Sequence, residues 1–288
     1  MAALTAIGYL AALCVLLAGL IALAQRKLYV WEDPRIDEVT DLLPGANCGA
    51  CGLPGCRAFA EQVVGGEVQP GQCSVGGAAG AARVAAFLGV DTGSMVKKVA
   101  RLLCAGGTDV AVQAGAYTGY SSCRAAATVA GGPKECTWGC LGLADCRTSC
   151  TFDAITMSPN GLPVVDLEKC TACGDCVRAC PKQLFEVMPV RSRLIVQCRS
   201  LLEGDTALAT CRVACTGCGL CAADAPDGLV TMFRNLPVVQ REKTELETAI
   251  ATYRCPTGAI AWVEGQQFPA LHESLGAHPG QVNHAVLA

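Results

Sequence analysis

Twenty-one cysteines are distributed over 288 residues, and the spacing of many of them suits metal chemistry. The most explicit stretch is Cys170-Thr-Ala-Cys173-Gly-Asp-Cys176-Val-Arg-Ala-Cys180-Pro181, a C-x2-C-x2-C-x3-C-P run. Thiolates at that spacing turn inward from one tight loop onto three corners of an iron–sulfur cube, while the fourth reaches a different cube. Zinc or spare thiols are the alternative.

Upstream, Cys136-x3-Cys140-x5-Cys146-x3-Cys150 is a stretched form of the same half-motif. Between the halves, apolar segments flank Pro159-Asn160-Gly161, which predicts a β-hairpin. Two such halves resemble bacterial two-cluster ferredoxins, in which the fourth cysteine of each half crosses to the other half's cluster. That resemblance implies one cluster on Cys136, Cys140, Cys146 and Cys180, and another on Cys150, Cys170, Cys173 and Cys176. Thr151 replaces the proline that usually follows the crossing cysteine, without removing a ligand.

The pattern then repeats. Thr231-Met-Phe-Arg-Asn-Leu-Pro-Val-Val-Gln240 echoes Thr156-Met-Ser-Pro-Asn-Gly-Leu-Pro-Val-Val-Asp166. Before it stands Cys215-Thr-Gly-Cys218-Gly-Leu-Cys221-Ala-Ala-Asp-Ala225-Pro226, with alanine in the fourth place. After it stands Cys255-Pro256; where three further ligands would align there are residues such as Thr244 and Glu247. All the losses fall on one cube, so the module is reduced to a single site on Cys215, Cys218, Cys221 and Cys255.

A different four-cysteine set opens the soluble part: Cys48-x2-Cys51-x4-Cys56-x16-Cys73, in a glycine-rich loop that can wrap an inorganic core. Arg57 to Val64 reads as a short helix between the third and fourth ligands. Zinc loops use the same C-x2-C start, so zinc stays open for this set. Cys14 lies in an apolar run and reads as packing. The remaining cysteines, Cys104, Cys123, Cys198 and Cys211, flank the first module and suggest a fifth cluster drawn from separate segments, with zinc or free thiols as alternatives.

These sites need elements to hold them. Residues 2–24 carry no charged side chain and approach the ~20 residues of a membrane-spanning helix. Arg26 and Lys27 follow, which by the positive-inside rule places the bulk of the chain in the cytoplasm; a signal peptide cut after Ala24 is the rival reading. Residues 76–103 are alanine-rich and read as two helical runs separated near Asp91-Thr-Gly93. The net charge of −3, with cations scattered, gives no nucleic-acid footprint. No Ser–His–Asp arrangement or phosphate loop competes with the redox reading. His272, His278 and His284 lie in a tail containing Pro269 and Pro279, expected to be flexible and solvated. Lys182, Arg191 and Arg193 follow the second cluster motif and could face an acidic electron carrier.

Over residues 1–265 the order of parts resembles the B subunit of the Rnf-type ion-translocating ferredoxin:NAD oxidoreductase. The N-terminal helix, Asn47-Cys-Gly-Ala-Cys-Gly-Leu-Pro-Gly-Cys56 with Cys73, Cys123-Arg-Ala-Ala through Gly131-Gly-Pro-Lys-Glu-Cys136, Trp138-Gly-Cys-Leu-Gly-Leu-Ala-Asp-Cys146 and the later runs carry the resemblance. It implies a single-pass protein of the bacterial cytoplasmic membrane that accepts electrons from soluble ferredoxin through 4Fe–4S clusters. It also implies companion subunits carrying the flavin and NAD site and the ion path. Two other functions stand beside it: a membrane-bound polyferredoxin-like donor to another reductase, and a zinc-stabilised interaction protein. The expected architecture is α+β: an anchor (1–25), a four-cysteine Fe–S domain with linker helices (26–90), and a connecting segment supplying Cys104 and Cys123 (91–135). A two-cluster ferredoxin-like module (136–190), a one-cluster module (191–265) and the tail (266–288) complete it.

Overall fold

The computed structural model describes residues 2–28, 31–94 and 96–268, so the three histidines and most of the expected tail lie outside the described residues. Helix α1 (Ala2–Lys27) is exposed along its described side chains, from Ile7 onward, and is apolar on all sides until Arg26 and Lys27. Its 26 residues give about 39 Å at 1.5 Å per residue, more than the ~30 Å of a bilayer's hydrocarbon core. A helix that is apolar all round has no polar face to turn to water, so length and composition suit it to a membrane.

Three helices follow, α2 (Arg35–Leu42), α3 (Cys56–Val64) and α4 (Gly77–Leu88). Val39, Phe59, Ala60, Val63 and Val84 meet at helical spacing to form their shared core. Gly89 ends α4 in the left-handed conformation, φ 68°, with its N–H on the Ala85 carbonyl. The second helical run expected here is instead a strand, β1 (Lys98–Leu102). Its partner lies far along the chain, and that pairing overrides the local preference.

The rest of the described chain builds two units on one strand plan. In the first, β1 pairs antiparallel with β4 (Phe185–Pro189), and between them in sequence lies the hairpin of β2 (Ile155–Met157) and β3 (Pro163–Val165). In the second, β5 (Leu194–Val196) pairs antiparallel with β8 (Ile260–Trp262), around the hairpin of β6 (Val230–Phe233) and β7 (Leu236–Val239). The expected hairpin is present, and the segment that echoes its sequence forms a second one. The first turns through Ser158–Gly161, closed by the Ser158 N–H on the Leu162 carbonyl at 2.8 Å. The second turns in two residues, Arg234 and Asn235, with φ of 47° and 65°. Two successive positive φ values make a type I′ turn, whose twist matches that of the strands.

Short helices fill the connections: α5 (Cys123–Thr128), α6 (Asp145–Thr148) and α7 (Asp175–Ala179) in the first unit, and α8 (Gly204–Thr210), α9 (Leu220–Asp224) and α10 (Ile250–Tyr253) in the second. The second unit shows what stands where cluster ligands are missing. Arg241–Leu246 forms a 3-10 helix, and the following Glu247 carboxylate, 3% exposed, accepts the N–H groups of Arg193 (2.6 Å) and Leu194 (3.0 Å). Ala225 packs against an apolar cluster that includes Leu229, Val230, Val239 and Ile260.

None of α1's described side chains, from Ile7 onward, is buried in the rest of the fold. Removing residues 1–27 is expected to give a detergent-free soluble protein with its iron content and visible absorbance intact. Loss of colour on truncation would show that α1 supports folding.

Candidate iron–sulfur centres

Cys48 and Cys51 lie on the loop before α3, Cys56 opens α3, and Cys73 follows a 3-10 turn. All four line one cavity. The Asn47 side chain accepts the Cys56 N–H at 2.8 Å and pins the loop. Gly55, at φ 138°, passes so close that a Cβ would lie 3.0 Å from the Asn47 oxygen. The Gly76 N–H donates to the Cys73 sulfur at 3.4 Å. Burial, then crowding by Cys51, Cys56 and Cys48, pushes the Cys73 thiol up.

Cys170, Cys173 and Cys150 crowd Cys176: burial first, then these three thiols, push it up to about 12. Backbone N–H groups of Ala100 and Ala154 point at the sulfurs of Cys170 (3.5 Å) and Cys150 (3.4 Å). Cys215, Cys255 and Cys218 crowd Cys221 in the same way, and burial followed by these thiols pushes it up to about 11. Cys218 is exposed.

The two remaining sets differ from the expected grouping. Cys140, Cys146 and Cys180 line a cavity with Cys123, and Cys136 is absent from its lining. Cys136 instead lines a cavity with Cys104, Cys198 and Cys211. Hydrogen bonds that tie the motif to segments distant in sequence explain the exchange. The Asp145 carboxylate accepts the Ser122 hydroxyl and the Arg124 N–H, both at 3.0 Å, and so draws the start of α5 toward Cys146. The segment before Cys136 is tied elsewhere, with the Glu135 N–H on the Val112 carbonyl (3.0 Å) and the Ala114 N–H on the Pro133 carbonyl (2.7 Å). Ala111 in turn bridges to Cys211. The four cysteines without a local motif are therefore divided: three join Cys136, and Cys123 takes the place expected for it. Cys14 is exposed on α1.

The sets follow one another in space. Ser74, beside Cys73, donates to the carbonyl of Thr171, beside Cys170, at 2.7 Å. Cys146 is crowded by Cys140 and Cys123 of its own set and also by Cys176. The Cys140 N–H donates to the Cys104 sulfur at 3.4 Å. The Ala214 N–H, beside Cys215, donates to the Cys211 carbonyl at 3.0 Å. The resulting order runs from the Cys48 set through the Cys150, Cys123 and Cys104 sets to the Cys215 set.

Several features of these sites fit an iron–sulfur cube. The donors are thiols, and three of the sets line cavities. Backbone N–H groups aimed at sulfur stabilise thiolate and cluster charge. Without iron, burial pushes Cys198 up to about 12 and Cys211 to about 11, so these thiols hold their protons until a metal displaces them.

Comparison with known proteins agrees with this chemistry. A family model described as a putative Fe–S cluster matches residues 43–75, and one described as a 4Fe–4S binding domain matches residues 162–185. The B subunit of the Na(+)-translocating ferredoxin:NAD(+) oxidoreductase complex of Acetobacterium woodii is 40% identical, covering 84% of this chain and 72% of its own length. The proton-translocating counterpart of Clostridium ljungdahlii is 42% identical, over 85% and 87%. The chain belongs to the family of B subunits of ion-translocating (Rnf) oxidoreductase complexes. A further member, from Methanosarcina acetivorans, is 34% identical over 89% of this chain and 97% of its own length. The relatives' names differ in the translocated ion, so membership in this family leaves the ion unspecified.

The grouping has a direct test. Cys123→Ala and Cys180→Ala are expected to abolish the same paramagnetic signal of the reduced protein, and Cys136→Ala and Cys104→Ala a different one. If Cys136→Ala removed the signal lost with Cys180→Ala, the expected motif grouping would be right and the spatial one wrong.

Proposed function

We propose that this protein is the electron-entry arm of an Rnf-type complex, carrying five 4Fe–4S clusters on the five cysteine sets. Two ferredoxin-like units and the N-terminal four-cysteine domain hold them. Cys123, Cys140, Cys146 and Cys180 hold one cluster and Cys104, Cys136, Cys198 and Cys211 another; the other three sets are those read from the sequence. The cubes supply one-electron storage, and the protein fixes their spacing, shields them and sets their charge environment. The observation that carries the reading is the unbroken succession of sets, which ends at exposed Cys218 on one side and at the domain following α1 on the other. In this reading α1 anchors the chain in the bacterial cytoplasmic membrane with the soluble part on the cytoplasmic side. Electrons pass toward companion subunits carrying the flavin and NAD site.

A soluble ferredoxin is the proposed donor. A groove of about 380 Å³ between the two strand units reaches Cys198 and is lined by Lys182, Arg199 and Arg234 beside Phe233. Among the described residues Lys182 bonds the Thr137 carbonyl and no carboxylate, and Arg234 lies over the Phe233 ring, so both charges remain available to an acidic surface. Arg193, by contrast, is engaged by Glu264 and lies over Trp262.

Two measurements test this reading. Anaerobically prepared protein should contain about 20 iron atoms, four per cube, and bleach with dithionite; a colourless zinc protein would sink the redox reading. Lys182→Glu combined with Arg234→Glu should raise KM for reduced ferredoxin several-fold, with the effect shrinking at high salt. Reduction by dithionite should stay unchanged. Purification of the solubilised chain without flavin-bearing partners would favour a free-standing membrane donor.

A further inference from the structure

Lys134 is a cation in the protein interior, 5% exposed, directly on the wall of the cavity formed by Cys104, Cys136, Cys198 and Cys211. Its ammonium donates to the Gly106 carbonyl at 2.6 Å. Among the described residues no carboxylate lies within ion-pair distance of it. A buried charge without a counter-charge is strongly disfavoured, so a site that keeps one needs an anion nearby. The groups that share its cavity and can carry negative charge are the sulfurs of Cys104, Cys136, Cys198 and Cys211.

The surrounding backbone fixes this placement. A bridge between Gln113 and Lys134 sets the segment's position. Gly106, whose carbonyl receives the ammonium, runs so close to the cavity that a Cβ there would lie 3.2 Å from the Cys211 sulfur and 3.5 Å from that of Cys104. The cation near the Cys215 set is of another kind: Arg254 is exposed and its charge is spent on Asp224 at 2.5 Å.

We infer that Lys134 is the internal counter-ion of the cluster on Cys104, Cys136, Cys198 and Cys211, and that it raises that cluster's reduction potential. This rests on the cluster reading above. A cube with four thiolates gains a further negative charge when it accepts an electron, and a fixed cation in a low-dielectric wall stabilises the reduced form more than the oxidised one. This cluster, between the Cys215 set and the Cys123 set, then holds an electron more readily than it would with a neutral wall. Lys134 acts on it as a tuning residue and not as a ligand.

The test is anaerobic potentiometric titration of the full chain, followed by paramagnetic resonance, for Lys134→Gln and Lys134→Arg. Lys134→Gln should retain its iron yet lower the reduction equilibrium of one centre at least tenfold, equivalent to about 59 mV for one electron. That centre should be the one abolished by Cys104→Ala, and Lys134→Arg should keep it near the parent value. If the glutamine variant alone loses the cluster, the charge is needed to assemble it, which is the counter-ion role in a stronger form. Unchanged midpoints at full iron content, or the same iron loss in both variants, would overturn the inference. A parent chain without any reducible centre would defeat the underlying cluster reading instead, so the two failures are distinguishable.

Discussion

The fold depends on burying sulfur. Aromatic residues make up only 5% of the chain, and the largest core cluster includes Cys104, Cys146, Cys176, Cys198, Cys211 and Cys215 beside Leu102, Leu162 and Leu184. Units with strands of three to five residues have little apolar area of their own to offset the entropy of ordering the chain. With cysteines as core residues, whatever the thiols bind becomes part of the folding free energy, because a preformed ligand set does not exist in the unfolded chain. Metal occupancy and stability are therefore one property of this molecule.

That coupling explains how the second unit tolerates its missing ligands. Its strand plan is that of the first, but the positions that would supply a second cube hold Ala225, a 3-10 helix and buried Glu247. Apolar side chains and a carboxylate capping two backbone N–H groups occupy the region. The contact between the two units is also a chemical one. Cys198, just after β5, lies with Cys104 and Cys136 of the first unit in the lining of one cavity.

Electrostatics adds a second layer. Burial drives the thiols toward their neutral forms, while backbone N–H groups at 3.4–3.5 Å and the ammonium of Lys134 favour the anionic ones. Arg101, 1% exposed and bonded to the Gly265 carbonyl, lies close enough to Cys170 for the thiolate to counter the desolvation of its guanidinium. Charge carried by the protein interior accompanies two of the cysteine sets and is set by residues outside every cysteine motif.

Local spacing alone determined a good deal. The C-x2-C runs marked out Cys48, Cys51 and Cys56, then Cys170, Cys173 and Cys176, then Cys215, Cys218 and Cys221 as ligand groups; the Pro-Asn-Gly segment located the first hairpin, and the uninterrupted apolar run gave α1. Each of these is written within a few residues, where covalent connection already brings the partners close. The exchange of Cys123 for Cys136, the pairing of β1 with β4 and of β5 with β8, and the seat of Lys134 belong to the tertiary structure. They join residues tens of positions apart through backbone hydrogen bonds and carboxylate anchors such as Asp145, which carry no local pattern. A spacing rule can state which thiols are able to share a site, but only the folded backbone selects the ones that do.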